Sequence, residues 1–363
     1  MVYLTEINVN ILLKLLIAGD KSRFYHLERF VIALQKNGVK CKLIDDKKYS
    51  NKFFDVDIKN RLEKQKNLKK LLNEFGPDVV LLDRLSGVAT EVINTGIPLF
   101  ILLRGNFWEE SKWAKETIYT SPQKRLSFLK NQRFAKKCFN NASLILPISK
   151  YLANEVRKNI PEKKIEIFPA DGRDPLEWNQ MSGMSLKHPC VGLLQGMNVW
   201  GKTRELLTLM KVMKELPEIT FYFAGDGFYK DKIIPKLKDF KNFIWLGNLE
   251  YPVEAKKFLT EIDVYLLLSG MEGLGQTIIE ALLMEKPVIA TNIGGIPELI
   301  EDGNTGFLVE TGDYEDLIKK INQIVAEPVT ANNMGSKGKE IMQKKFNWDN
   351  IAKKFVLILN QNI

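Results

Sequence analysis

The 363-residue sequence has few of the side chains that bind metals or form disulfides. It contains two histidines, His26 and His188, and three widely separated cysteines, Cys41, Cys138 and Cys190. An odd number of scattered cysteines supports neither a disulfide framework nor a zinc site, so we expect reduced thiols in a cytosolic protein. With two histidines and no paired cysteines, a metal site built from these ligands is not expected. Neither histidine lies in a recognisable nucleophile motif.

The sequence also lacks an apolar run of the roughly 18 to 20 residues that a membrane-spanning helix needs. The apolar stretch at 11–19 is short and is interrupted by Lys14. No basic region precedes it, so no secretory signal is predicted. A composition of 45% hydrophobic and 27% charged residues is typical of globular proteins, and the length fits two domains of ordinary size.

Negative charge is scarce in the first half of the chain. Of the net charge of +9, residues 1–185 contribute 32 Lys+Arg against 21 Asp+Glu, and residues 186–363 contribute 21 against 23. This asymmetry indicates an anionic partner of the N-terminal half, such as a membrane surface, lipid phosphate or nucleic acid. Residues 111–139 combine basic with aromatic and aliphatic side chains, which fits a membrane interface about as well as an ordinary solvated helix face.

Strand-like and helix-like runs alternate along the whole chain. Apolar runs of strand length occur at 7–19, 39–46, 77–83, 97–105 and 142–149, and a second series begins at 190. Alternation of this kind predicts βα units and parallel sheets with helices on both faces. Ligands bind such sheets at the carboxyl ends of the strands. The polar run 171–189, which contains Gly and Pro, is the predicted linker between the two series.

The most informative stretch is 270–300. Two glycines in the loop Glu272-Gly273-Leu274-Gly275 precede a predicted helix from Gln276, a buried strand at 288–291 and a second glycine loop. A glycine-rich loop that runs into a helix N-terminus presents backbone N–H groups and the positive end of a dipole, which suits a phosphate. Two glutamates eight residues apart are usually no more than solvated side chains, but here they stand in a longer pattern.

That pattern resembles the retaining glycosyltransferases of the GT-B class, family 4. The matching residues are Glu272, Glu280, Pro287-Val288, Gly294-Gly295 and Pro297-Glu298. The resemblance implies a GT-B fold, an α/β architecture of two doubly wound Rossmann-like domains facing a central cleft. Residues 1–185 would bind the acceptor, 186–345 would bind the nucleotide sugar, and a C-terminal helix within 346–363 would cross back to the N-terminal domain.

The resemblance also assigns roles to residues of the donor side. Glu280 would hold the ribose hydroxyls, Glu272 would contact the transferred sugar, and Lys202 would stabilise the leaving diphosphate. Lys202 and Gly196 match a family motif whose arginine is replaced here by Met197, and the nearby Arg204 is a candidate substitute. The implied diphosphate- and base-binding residues are Gly273, Leu274, Gly275, Gln276 and Thr277, with Gly247 and Leu249 for the base.

The acceptor side departs from the family pattern. Relatives often have a Gly-Gly loop after the first strand, where this chain has Gly19 and Lys21. Many also have a histidine after the fourth or fifth strand, where this chain has Arg104 and Asn106. These four residues are candidate sugar or acceptor contacts, and the acceptor itself is not identified.

The function implied is retaining, metal-independent transfer of a hexose from a UDP- or GDP-sugar to a glycan, a lipid-linked or a small-molecule acceptor. No cofactor and no nucleic acid are expected, and the setting would be envelope glycan or glycolipid synthesis, in the cytoplasm or at the inner face of the membrane. One alternative is a sugar-nucleotide epimerase of GT-B fold, which the scarcity of histidine disfavours. Another is a non-catalytic lipid- or nucleic-acid-binding protein that retains the fold, which Met197 favours and the intact Glu272, Glu280 and Lys202 disfavour.

Overall fold

The computed structural model describes residues 13–50 and 58–363. The first part of the strand predicted at 7–19, and the N-terminus for which no signal is predicted, lie outside the described residues. The chain forms two compact units. The first comprises the residues up to 102 together with 131–146 and 351–363, and the second comprises 103–130 and 147–350.

The first sheet has five strands in the order β2-β1-β3-β4-β5. Its strands are β1 (Lys14–Gly19), β2 (Lys40–Asp45), β3 (Val79–Leu82), β4 (Leu99–Leu103) and β5 (Leu144–Pro147). β1 pairs in parallel with β2 and β3, and β3 with β4. Every residue of β3, β4 and β5 is buried, which explains their continuous apolar sequences, because strands of a parallel sheet are covered on both faces.

The second sheet has six strands in the order β11-β10-β9-β6-β7-β8. They are β6 (Cys190–Leu194), β7 (Thr220–Ala224), β8 (Phe243–Gly247), β9 (Val264–Leu267), β10 (Val288–Thr291) and β11 (Gly306–Val309). The chain builds β6, β7 and β8 outward on one side and then continues with β9, β10 and β11 on the other. The order therefore reverses between β6 and β9, and the carboxyl ends of these two strands form the crevice where ligands of such sheets bind.

Helices connect the strands in both units. Those before β6 are α1 (Phe24–Lys36), α2 (Asp46–Tyr49), α3 (Ile58–Phe75), α4 (Val88–Ile93), α5 (Phe107–Thr117), α6 (Pro122–Asn141) and α7 (Lys150–Asn159). Those after it are α8 (Trp200–Thr203), α9 (Leu209–Glu215), α10 (Lys230–Leu237), α11 (Val253–Glu261), α12 (Gln276–Leu283), α13 (Tyr314–Ala326), α14 (Pro328–Lys345) and α15 (Trp348–Asn362). Helix α1 shows why the sequence pattern worked: its buried residues recur every three or four positions, which places them on one face.

The prediction of two parallel-sheet α/β regions is confirmed. The domain limits at 185 and 345 stay predictions; the compact units group 103–130 and 147–185 with the second sheet. The end of α15 belongs to the first unit, where the Phe355 ring packs against Phe30 with centroids 5.3 Å apart. Across the described residues, no helix combines the length and the apolar character that a membrane crossing requires.

Candidate active site

A cavity of about 280 Å³ opens at the point where the strand order of the second sheet reverses. Residues that follow β6 and β9 line it, together with one residue of α5, residues around α8 and the first turn of α12. The lining residues are Glu110, Leu194, Gln195, Gly196, Asn198, Val199, Lys202, Leu267, Ser269, Glu272, Gln276 and Thr277. Five of the predicted donor-site residues, Gly196, Lys202, Glu272, Gln276 and Thr277, are therefore brought together here.

The loop 272–275 is held in place by the second glycine loop. Gly295 donates its N–H to the Glu272 carbonyl at 3.1 Å. A Cβ at Gly294 would overlap the Glu272 carbonyl, and one at Gly295 would overlap the Gly273 carbonyl. Gly294 also has φ +59°, a conformation that L side chains rarely adopt. The Gly-Gly pair of the sequence pattern thus lets one backbone approach another and support the loop.

A second set of contacts supports the same loop from the start of α7. The Ser149 hydroxyl donates to the Gly273 carbonyl at 2.7 Å. The Glu298 carboxylate accepts hydrogen bonds from the N–H groups of Lys150 and Tyr151, each at 2.9 Å. Glu298 therefore caps the N-terminus of α7, and the Pro-Glu part of the pattern serves the scaffold of the site.

The N-terminus of α12 points to an anionic or polar ligand. Its N-cap is Gly275 at φ +95°, and no side chain caps the helix, so its first N–H groups have no side-chain acceptor. Two amide atoms of residues that line the cavity, Gln276 Nε2 and Gln195 Oε1, are buried without a hydrogen-bond partner. Buried polar atoms are nearly always satisfied. A bound phosphate, sugar or water could accept from Gln276 Nε2, and a sugar hydroxyl or a water could donate to Gln195 Oε1.

Lys202 and Glu272 form an ion pair at the wall of the cavity. Lys202 Nζ lies 3.0 Å from both carboxylate oxygens of Glu272, and the two side chains are 25% and 16% exposed. Burial lowers the pKa of Lys202, but the charges of Glu272 and Glu110 outweigh this effect and raise the pKa above its usual value. The cavity therefore contains a permanent cation that a phosphate could contact.

Glu280 is buried behind the cavity and does not line it. Its Oε1 accepts hydrogen bonds from Arg173 Nη2 at 2.6 Å, from Arg173 Nε at 3.2 Å and from the Tyr251 hydroxyl at 2.7 Å. Arg173 and Glu280 side chains are 3% and 4% exposed. All of these contacts use Oε1, so Oε2 is the atom left for the predicted ribose contact, and that role stays a prediction.

The sequence reasoning missed Arg173, because it lies in the run 171–189 that was assigned to the linker. That run also contains the fully buried Trp178, so part of it belongs to the packed interior. A signal was present in residues 169–174, which resemble the family segment Pro-Asn-Gly-Val-Asp at the exit from the first domain, with Arg173 in the place of its valine. An arginine at an apolar position predicts a buried partner of opposite charge.

The two positions near Lys202 differ from the expected phosphate site. Met197 is fully buried in the hydrophobic core of the second sheet, and its backbone bonds with Asp226 and Tyr229. The guanidinium of Arg204 lies 4.6 Å from the centre of the Trp113 ring, and Arg204 is not among the lining residues. Its substitution for the missing arginine stays a prediction.

The remaining predicted residues lie elsewhere in the second unit. Gly247 and Leu249 follow β8 and do not line the cavity, so their contact with the base stays a prediction. Gly273, Leu274 and Gly275 are buried in the loop itself. The Arg104 side chain forms an ion pair with Asp171.

Asn106 is also engaged by neighbouring residues. It caps α5 through the Glu109 N–H and donates to the Tyr151 hydroxyl at 2.8 Å. Its side chain therefore joins the start of α5 to α7. A direct contact of Arg104 or Asn106 with an acceptor remains a prediction.

In the first unit, Gly19 and Lys21 flank a compact charged cluster at the carboxyl ends of β1 and β3. Asp20 forms ion pairs with Lys47 and, at 4.0 Å, with Arg84. Hydrogen bonds from Lys47 and Ser22 hold the pKa of Asp20 far below its usual value. The charges of this cluster are largely matched among its own members, and an acceptor contact of Gly19 or Lys21 stays a prediction.

Glu110 is a second residue that the sequence reasoning missed. It lines the cavity from α5. Its carboxylate makes no hydrogen bond or ion pair to another described residue, and burial, opposed by Lys202, raises its pKa. A signal was available in the sequence: Glu110 follows Arg104 by six residues, and Arg104 lies at the end of a strand predicted to border the site.

One group of side chains outside the cavity has the donor atoms of a metal site. His188 Nδ1 lies 2.8 Å from Asp263 Oδ2 and 3.7 Å from Cys190 Sγ, while Nε2 lies 3.1 Å from Glu261 Oε1. The hydrogen bond to Asp263 raises the pKa of His188. The polar groups of this cluster satisfy one another through these hydrogen bonds. The predicted absence of a metal is left untested.

Comparison with known proteins identifies the class of the fold. Residues 202–341 match the family model "Glycosyl transferases group 1". An uncharacterized glycosyltransferase of Methanocaldococcus jannaschii is 29% identical over 227 residues, which is 61% of this chain and 60% of that protein. The match thus spans less than two thirds of this relative's length.

Two solved structures share the fold over nearly the whole chain. Sucrose-phosphate synthase from Thermosynechococcus elongatus superposes with a TM-score of 0.74 at 15% identity, covering 96% of this chain and 98% of that one. Anabaena HepE, solved with UDP and glucose, gives 0.69 at 16% identity, covering 96% and 99%. The GT-B fold predicted from the stretch 270–300 is confirmed, and the family match over residues 202–341 agrees with the resemblance to glycosyltransferases.

Proposed function

We propose that the protein transfers a sugar from a nucleotide sugar to an acceptor, with retention at the anomeric carbon and without a metal ion. The observation that carries this proposal is the cavity where Lys202, Glu272 and the uncapped N-terminus of α12 meet. The family match of residues 202–341 covers the same elements. A diphosphate needs a cation and free N–H groups, which Lys202 and the start of α12 offer, so a nucleoside diphosphate is the ligand proposed.

In the proposed reaction the bond between the anomeric carbon and the phosphate oxygen breaks, and a bond to the acceptor oxygen forms on the same face. Lys202 and the N–H groups at the start of α12 stabilise the charge that develops on the departing diphosphate. That phosphate accepts the proton of the acceptor hydroxyl, and Glu272 orients the sugar. These residues supply the positive charge that a divalent metal supplies in other transferases.

A UDP-sugar is the first donor to test, since the similar HepE structure was solved with UDP, with GDP-sugars next. The acceptor proposed is a glycan or a lipid-phosphate-linked sugar. Two of the similar proteins reported above are named a glycosyltransferase and a synthase, and none is named an epimerase, which favours transfer over epimerisation. Turnover of a sugar nucleotide would distinguish a transferase or an epimerase from a binding protein that retains the fold.

The test is a screen of common UDP- and GDP-sugars for transfer or hydrolysis, with and without EDTA. We expect turnover of at least one donor, insensitivity to EDTA, and a product whose anomeric configuration by NMR matches that of the donor. Inversion or EDTA sensitivity would contradict the finer parts of the proposal. If no donor is transferred or hydrolysed by the wild-type protein, with or without added acceptors, the binding-protein alternative would be favoured.

We further propose that α6 contacts an anionic membrane surface, which would place the enzyme at the inner face of the membrane. This helix has six basic and no acidic residues. Leu126 and Leu129, three positions apart, are 56% and 52% exposed. Exposed aliphatic side chains among cations fit a helix that lies in the headgroup region of anionic lipids.

Flotation with vesicles of phosphatidylglycerol and phosphatidylcholine tests this surface. Binding should occur at low salt, weaken as salt screens the charges, and fall in the double variant Leu126→Gln/Leu129→Gln. The matched control is Leu357→Gln, since Leu357 is 60% exposed on a different helix. Absence of binding at low salt would remove the membrane proposal and leave the donor chemistry untouched.

A further inference from the structure

The residues that line the cavity carry an unfavourable charge for the proposed ligand. Its ionisable side chains are Glu110, Glu272 and Lys202, so the lining has a net charge of −1 when all three are ionised. A nucleoside diphosphate adds at least two further negative charges. Like charges brought within a few ångströms in a poorly hydrated site repel strongly, so one carboxylate must lose its charge or move when the ligand enters.

The two carboxylates differ in which charge state their surroundings favour. Glu272 has Lys202 at 3.0 Å, which stabilises its ionised form. Glu110 has no ion pair and no hydrogen bond to another described residue, while its carboxylate packs against Gly105. Burial and the charges of Glu272 and Glu109 raise the pKa of Glu110, and only Lys202 opposes them. Glu110 is therefore the group that neutralises most readily.

We propose that Glu110 binds the donor as a neutral carboxylic acid, so that nucleotide binding is accompanied by uptake of one proton from solvent. This inference rests on the proposed function. In the neutral form the carboxyl group becomes a hydrogen-bond donor that can serve an oxygen of the diphosphate or of the sugar. The lining then has no net charge, and Glu272 is the one lining carboxylate that still opposes the attraction of the anion to Lys202 and the start of α12.

The sign of the pH dependence follows from this linkage. Below the pKa that Glu110 has in the free protein, the proton is already present and affinity does not change with pH. Above that pKa the proton must be taken from solvent, so affinity falls by up to about tenfold for each pH unit. The fall ends at the higher pKa that Glu110 acquires beside the bound anion.

Isothermal titration calorimetry with UDP and with GDP measures this uptake on the full-length protein. Titrations at the same pH in PIPES and in Tris differ in enthalpy by the number of protons exchanged times the difference in buffer ionisation enthalpy. Protons that the nucleotide itself exchanges are removed by comparison with Glu110→Gln, which keeps the shape of the side chain. Glu116→Gln is the matched control, since Glu116 is exposed on the same helix.

We expect the wild type and Glu116→Gln to take up nearly one proton more than Glu110→Gln at a pH between the free and bound pKa values. As the pH rises from the free to the bound pKa of Glu110, affinity should fall in the wild type and stay flatter in Glu110→Gln. Equal proton uptake in all three proteins would overturn the inference and leave the donor site standing. If neither nucleotide binds the wild type, the proposed function fails and this inference fails with it.

Discussion

Two glutamates of one short segment, Glu272 and Glu280, each pair with a cation, and the two pairs lie in different surroundings. Glu272 and Lys202 line the cavity and keep 16% and 25% of their side-chain surface exposed. Glu280 and Arg173 are 4% and 3% exposed and lie behind the cavity. Lys202 or Glu272 can exchange its partner for a ligand or for water. If Arg173 and Glu280 separate, each leaves a charge buried without its partner.

This difference changes how a substitution at each site should be interpreted. An unpartnered charge in the interior is strongly destabilising, whereas an exposed pair contributes little to stability. A loss of binding in a Glu280 variant therefore does not by itself identify a ligand contact, because the fold around Arg173 changes as well. A Glu272 or Lys202 variant tests the chemistry more directly.

The largest expected effect is on stability, from removal of one member of the buried pair. Glu280→Ala should lower the free energy of unfolding by about 3 to 5 kcal/mol, because Arg173 is left buried without a counter-charge. Chemical denaturation followed by circular dichroism measures the change. The double variant Glu280→Leu/Arg173→Met should recover most of the loss.

The control for this prediction is an exposed ion pair, Lys344 with Glu340. Lys344→Met should change stability by at most about 0.5 kcal/mol. If Glu280→Ala is no more destabilising than Lys344→Met, the buried pair does not stabilise the fold. A loss of nucleotide binding in Glu280→Ala would then indicate a direct ligand contact.

A smaller effect is expected from Lys202→Met, and it should appear in turnover. Loss of a positioned cation at the leaving group reduces the rate by about 10²- to 10³-fold, while stability changes little because the Glu272 side chain is partly exposed to solvent. Initial rates with the best donor give the effect. Lys230→Met, which breaks a partly exposed pair with Asp226 in the same unit, is the matched control and should retain near-normal turnover.

The smallest expected effect is a gain in affinity in Glu272→Gln. Removal of one negative charge from the cavity should tighten UDP or GDP binding by about three- to tenfold, whereas turnover should fall because the sugar loses its orienting carboxylate. Calorimetry and initial rates on the same preparation separate the two effects. Weaker nucleotide binding would show that Glu272 is needed to hold Lys202 in position.

The loops of the stretch 270–300 could be predicted because their backbone conformations require glycine at particular positions. Gly275, Gly294 and Gly295 occupy positions where another residue would clash or adopt a rare conformation, so glycine itself marks the loop. The apolar strands of both sheets were predictable for a similar reason, since burial on both faces requires continuous apolar sequence.

Arg173 and Glu110 could not be predicted in the same way, because their roles depend on contacts far along the chain. Arg173 meets Glu280 across 107 positions, and Glu110 reaches a cavity whose other residues begin at Leu194. Local sequence shows only a polar run and an ordinary helix. Met197 is the converse case: its position suggested a missing phosphate contact, and its side chain instead completes the core.

The most direct test of the donor site is a crystal structure of the protein with UDP or GDP bound. The diphosphate should lie about 3 Å from Lys202 Nζ and from the first N–H groups of α12, with the cavity amides of Gln195 or Gln276 newly satisfied. A nucleotide bound with its phosphates away from Lys202 and α12 would contradict the account.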